Sequence, residues 1–119
     1  MKKTNINSIV MKKSMIAFEI DLDQNNLPEK IIWKASDTNN IENSTKAIAI
    51  SLWDPDQGNT MKIDLWTKDM RIDEMDKFLV DTLGGLAQSI LTATGDSYIS
   101  KSINDLCDNL VSHIKNKKY

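Results

Sequence analysis

Cys107 and His113 are the one thiol and the one imidazole in the chain, so a nucleophile with its base is the first chemistry to consider. They stand six residues apart in a stretch of helical periodicity, nearly two turns along a single helix. That spacing does not bring them within hydrogen-bond reach by local geometry, and no third group is specified to orient the base. Cys107 then reads as a small buried hydrophobe, and His113 as a solvent-facing residue near a helix end. A zinc site needs about four ligands, and Cys107, Asp108 and His113 offer too few at poor spacing.

Asp54-Pro55-Asp56-Gln57-Gly58-Asn59 has the oxygen ligands and the glycine of a calcium loop. It lacks the closing bidentate Glu and the flanking helices of an EF-hand, and it reads as a hairpin turn. The acidic group Asp69, Asp73, Glu74 and Asp76 suits a helix N-terminus, whose dipole favours negative charge, better than it suits an acid/base pair. Gly84-Gly85 and Gly95 do not have phosphate-loop spacing. The reading is therefore a non-enzyme with no catalytic, cofactor-binding or metal site.

What remains is recognition by surface. Trp53 and Trp66 could stack bases, but nucleic-acid binders combine aromatics with Lys and Arg, and Lys62 alone is near them in the sequence pattern. Tryptophan is also a favoured anchor in protein interfaces. Trp33, Trp53 and Trp66, with Leu52 and Leu65 nearby, are the candidate protein-binding residues.

The element that carries most of them is Thr45 to Lys68, where two alternating apolar runs flank a Pro-Gly turn and form a long β-hairpin. Setting Trp53 opposite Thr60 also sets Leu52 opposite Met61, Ile50 opposite Ile63 and Ile48 opposite Leu65, which makes one face aliphatic. The same register puts Ala47 opposite Trp66, Ala49 opposite Asp64 and Ser51 opposite Lys62. That second face is small and charged, with tryptophan at two corners, and its fate is open.

Upstream, Ser14 to Leu22 alternates as a first strand, and Glu29 to Ala35 returns as a second after the turn chemistry of Asp23 to Pro28. Ile31 and Trp33 are expected inward, because Lys30 and Lys34 flank Ile32. Ser36 to Ser44 is polar and without pattern, too long for a tight hairpin, so the second and third strands need not be neighbours.

After Lys68 the period lengthens. Ile72, Met75, Leu79, Leu83, Leu86 and Ile90 mark an amphipathic helix, with Asp73 and Asp76 expected as its cap and Gly95 as its stop. Gly84-Gly85 inside it either admits a closely approaching backbone or marks a kink. A second helix follows from about Ser97, with Ile99, Ile103, Leu106, Cys107, Leu110 and Ile114 on one stripe. The expected fold is α+β, a four-stranded antiparallel sheet followed by two helices packed on one face, and the aliphatic side of the hairpin with Ile16, Phe18 and Ile20 supplies its core.

Length and composition agree with one domain of ordinary size. The 119 residues carry 27% charged and 40% hydrophobic side chains, with a net charge of −2. Such a charge gives no global field for nucleic acid or anionic lipid. No apolar run approaches the ~20 residues of a membrane helix. Lys2 and Lys3 are followed by no apolar signal core, and a single cysteine fits a reducing compartment, so the expected location is the cytoplasm. The expected organisation is a flexible N-terminal extension over 1–13, a single domain over 14–115 and a C-terminal tail over 116–119. Met11 looks like a second beginning.

LDQNNLPEKIIW (Leu22 to Trp33), SLWDPDQGNTMKIDLWTKDM (Ser51 to Met70), IDEMDKF (Ile72 to Phe78) and ATGD (Ala93 to Asp96) together resemble the gliding motility protein GldC family of Bacteroidota, from Met11 to about Lys115. The resemblance implies a cytoplasmic accessory factor of gliding motility, without catalytic residues to carry over. The order of elements is also similar to that of the SecB export chaperone, a dimer of dimers that holds unfolded clients. This second resemblance implies a homo-oligomer, dimer or tetramer, with helix one in a subunit interface, binding a partner or unfolded client polypeptide, with no nucleic acid and no membrane insertion. The function expected from both is a protein-binding chaperone or adaptor. The alternative is a structural subunit of a motility or secretion complex with one dedicated partner.

Overall fold

A computed structural model describes residues 12–119, so the expectations for Lys2, Lys3 and the first ten residues lie outside the described part. The chain divides into two compact units, one ending at Lys68 and one covering Asp69–Tyr119.

The first unit is all β. Strand β1 (Ile16–Leu22) pairs antiparallel with β2 (Pro28–Ala35), placing Ile20 opposite Ile31 and Phe18 opposite Trp33. Asp23 shapes the turn between them. Its Oδ1 accepts from the amides of Asn25 (2.7 Å) and Leu27 (3.0 Å), while Asn26 takes the left-handed conformation at φ 62°. Asparagine tolerates that region at low cost, which is why this Asn-Asn pair can close a short turn. The register slips by one residue between Asp21 and Leu22, so that Glu29 bulges out of β2.

The polar segment after β2 is more ordered than its composition suggests. One 3-10 turn (Ser36–Thr38) and two left-handed asparagines, Asn39 and Asn40, reverse the chain. Asn40 donates its amide back to the Ala35 carbonyl at 3.0 Å. The chain then returns beside β2 as β3 (Asn43–Thr45), with Thr45 opposite Ile31 and Asn43 opposite Trp33. At Lys46 it bends, and β4 (Ala47–Asp54) leaves that sheet to pair with β5 (Asn59–Trp66) alone.

The expected single four-stranded sheet is therefore corrected to two antiparallel sheets of three and two strands. A three-residue strand is too short to show a period of two, and nothing in the alternation marks the bend at Lys46. Within the hairpin the register is the one the alternation implies, from Ala47 opposite Trp66 to Asp54 opposite Asn59. Its turn is held by Asp54 Oδ1, which accepts from Asp56 and Gln57, and by Gly58 at φ 66°.

The core of this unit is small. Among the described residues Ile31, Ala35 and Ile48 are its buried apolar side chains, and Thr67, just after β5, is buried as well. The expected core positions Ile16 and Phe18 are exposed, and the aliphatic hairpin face is covered only near its base: Leu52, Met61 and Ile63 are exposed toward the turn. Lys68 ties the end of β5 to the start of β2. Its amide donates to the Pro28 carbonyl at 2.9 Å, and its ammonium reaches Asp23 (3.0 Å) and Glu29 (2.9 Å).

The second unit is a helical hairpin of α1 (Ile72–Thr94) and α2 (Ser97–Lys115). Glu74, not the expected pair of Asp73 and Asp76, caps α1: its Oε1 accepts from the Arg71 amide at 3.1 Å, while Asp73 pairs with the Arg71 guanidinium. Gly95 stops the helix at φ 73° with its amide on the Leu91 carbonyl, and Asp96 caps α2 by accepting from Ile99. The seam is made of small residues. Ala87 is 1% exposed, and the buried Ser100 donates to its carbonyl at 2.9 Å. Gly84 and Gly85 sit in an unbroken helix, and among the described residues of this unit nothing lies within 4 Å of a Cβ added to either.

Candidate protein-binding surface

The five candidate residues stand in three places. Trp33 lies in the centre of the three-stranded sheet between Phe18 and Asn43, and is half-buried. Trp53 and Trp66 share one face of the hairpin, where they stand opposite Thr60 and Ala47. Six residues of strand separate those two register positions, about 20 Å at ~3.3 Å per residue, so the tryptophans form two separate patches. Trp53 is 66% exposed beside the turn and Trp66 53% exposed at the base. Leu52, 50% exposed, and the half-buried Leu65 belong to the opposite, aliphatic face.

Alternation decides these faces, and burial decides how much of each is available. Near its turn the hairpin is bare on both sides, with Leu52, Met61 and Ile63 on one and Trp53 on the other. A two-stranded ribbon is marginal in water without cover, and these aliphatic side chains are the part of the hairpin left without it. Met61 and Ile63 were legible as members of the aliphatic face, but their exposure was not.

Around Trp66 the surface is concave. Leu27, Pro28, Asp64, Leu65, Trp66 and Lys68 line an open depression of about 320 Å³ with a largely apolar wall. Its charged rim is organised. Amide hydrogen bonds, first from Leu27, and the Lys68 ammonium hold the Asp23 carboxyl below its ordinary value. The Lys68 ammonium is in turn raised, first by Glu29 and then by Asp23. Lys68 lies 45 residues from Asp23 and 39 from Glu29, a separation that leaves no periodic signal.

In the helical unit, Cys107 is half-buried with its thiol 3.8 Å from the Val80 carbonyl, and His113 is exposed further along α2. Asp76 instead gathers the residues expected to form a tail: Lys117 and the Tyr119 hydroxyl both donate to its Oδ2. Lys117 first, then Tyr119, hold Asp76 below the usual carboxylate value, and the same bond pushes the Tyr119 phenol up to about 12. No group of three or more metal-ligating side chains occurs among the described residues, and no described helix is long and apolar enough to cross a membrane.

The family model described as gliding motility-associated protein GldC-like matches residues 28–116, from the first residue of β2 to just past the end of α2. No curated protein and no solved structure matches the chain.

Proposed function

Because the chain belongs to the GldC-like family of gliding motility-associated proteins, we propose that it serves motility as a cytoplasmic, non-enzymatic protein-binding factor, a SecB-like chaperone or adaptor working as a homo-oligomer. The observation that carries this reading is the hairpin, which exposes Trp53, Leu52, Met61 and Ile63 near its turn and Trp66 at its base. Large apolar side chains concentrated on one hairpin favour contact with polypeptide over solvation. Trp33 and Leu65 are both half-buried, and Leu65 contributes through the wall of the depression at Trp66.

Helix α1 supports the oligomeric part of the reading. Ile72, Leu79 and Leu86 recur every seven residues and are all exposed, which is the spacing of a helix seam.

The test is aggregation suppression of a chemically unfolded reporter, run beside affinity capture from native cytosol, for the wild type and for Trp53→Ala, Trp66→Ala. A holdase slows aggregation and captures many polypeptides, and the double variant loses both. One stoichiometric partner without aggregation suppression means a dedicated structural subunit instead. A folded double variant that keeps both activities removes the tryptophans from the binding surface.

A further inference from the structure

We propose that the outer edge of β4 pairs antiparallel with the β4 edge of a second copy of this chain about a two-fold axis at Ile50, joining two hairpins into one four-stranded sheet. The inference rests on the reading of the protein as a homo-oligomer and names the strand that joins its copies.

The hydrogen-bond pattern identifies which groups are available. Thr67 donates its amide to the Lys46 carbonyl at 2.7 Å, one step beyond the Ala47–Trp66 pair, so Lys46 and Thr67 form a hydrogen-bonded pair of the ladder. Such pairs alternate along antiparallel strands. Ile48, Ile50 and Leu52 therefore turn their backbone groups inward to β5, and Ala47, Ala49, Ser51 and Trp53 turn theirs outward. Among the described residues β4 has no neighbour other than β5, and Ala49, Ser51 and Trp53 are exposed. The Ala47 carbonyl accepts from the Thr45 hydroxyl at 3.1 Å and keeps a second lone pair.

This edge also lacks the usual protection. Proteins guard open edges with charge, bulges or brevity. Among the described residues β1 carries Glu19, Asp21 and a register slip, β3 is three residues long, and β5 carries the ion-paired Lys62 and Asp64. Ala47 to Trp53 holds no charge and no proline.

Self-pairing fits the sequence of the edge. Centred on Ile50, the register sets Ala47 opposite the partner's Trp53 and Ala49 opposite the partner's Ser51, so every outward-facing residue meets another outward-facing residue. Ile48 then faces the partner's Leu52 and Ile50 faces itself, which keeps the aliphatic face continuous across the axis. Small meets large at both ends, and Lys46 stands in register with the partner's Asp54, opposite in charge. A centre at Ala49 or Ser51 would leave outward-facing residues unmatched.

The test uses sedimentation and a thiol placed on the axis. Ser51→Pro deletes one outward amide that the hairpin does not use, and it is expected to halve the sedimenting mass while circular dichroism stays native. In a Cys107→Ala background, Ile50→Cys is expected to form a covalent dimer under oxidised glutathione at least tenfold faster than Ile63→Cys. Non-hydrogen-bonded partners stand ~4.5 Å apart, within disulfide reach. Ile63 shares the face but would lie three strands from its copy. Equal cross-linking of the two cysteines overturns the proposal, and that arm decides if Ser51→Pro does not fold. A wild-type oligomer that survives in folded Ser51→Pro overturns the β4 edge and leaves the homo-oligomer standing, whereas a wild type of one-chain mass overturns both.

Discussion

Asp23 and Lys68, 45 residues apart, meet at 3.0 Å where the end of β5 crosses the start of β2. Asp23 is the better fixed of the two, because its Oδ1 also accepts the turn amides of Asn25 and Leu27. One carboxylate thus shapes a local turn and anchors the hairpin to the three-stranded sheet. Both roles need it charged.

The pH dependence follows from that charge. Asp23 titrates below its ordinary value of 3.8 in the folded state. A lowered folded value means that its stabilisation is fully present above the unfolded value and is lost as pH falls through the folded one. Asp23→Asn should therefore melt at a lower temperature than the wild type at pH 7, and the gap should close in acid below both values. Thermal unfolding at the two pH values checks this, and a gap independent of pH refutes it.

Tyr119 offers a local probe of the helical unit. Its hydroxyl donates to Asp76 Oδ2 at 2.8 Å, and its phenol is pushed up to about 12. The raised value places its stabilisation below the unfolded value of 10.0, to be lost as pH rises through the folded one. In a Tyr98→Phe background the phenolate absorbance should stay low at pH 10, and Asp76→Asn should bring the titration back toward 10.0. Titration near 10.0 without that substitution would show that the C-terminus does not hold this contact in solution.

The hairpin was legible to the residue because alternation and a Pro-Gly turn over-determine its register, and both helices were legible from their stripes and from Gly95. The sheet division was not. β3 has three residues, and the bend at Lys46 leaves no compositional mark. Two left-handed asparagines hid a tight reversal inside what reads as a loop. The types of the binding-surface residues could be read, but their separation by face and along the strand needed the register, and their exposure needed coordinates. Long-range pairs such as Asp23 with Lys68 leave no trace in local patterns.

Gly84 and Gly85 allow a gain of stability. Neither has a positive φ, and a Cβ on either enters open space. Gly84→Ala and Gly85→Ala should each stabilise the helical unit by about 0.5–1 kcal/mol, through lower backbone entropy in the unfolded chain. Urea unfolding measures it. Loss of stability in either variant would place against the helix a neighbour that the described residues do not supply.

Thr67 is the opposite case, a defect inside the β unit. It is 3% exposed, and its hydroxyl has no hydrogen-bond partner among the described residues. A buried unsatisfied polar group costs about 1–3 kcal/mol. Valine has nearly the same shape without the hydroxyl, so Thr67→Val should raise stability by about 1 kcal/mol. An unchanged or lower urea midpoint would mean that the hydroxyl is satisfied by an ordered water.

Ile31 and Trp53 separate folding from binding. Ile31 is fully buried, between Ile20 and Thr45 in the sheet, whereas most of Trp53 is exposed beside a turn. Truncating a buried isoleucine removes transfer energy and leaves a cavity, so Ile31→Ala should cost about 2–5 kcal/mol. Trp53→Ala has little burial to lose and should change unfolding by less than about 1 kcal/mol. Its effect should fall on client or partner capture instead. If Trp53→Ala destabilised the isolated chain as much as Ile31→Ala, the tryptophan would belong to the core, and its exposed position could not serve as evidence for a binding surface.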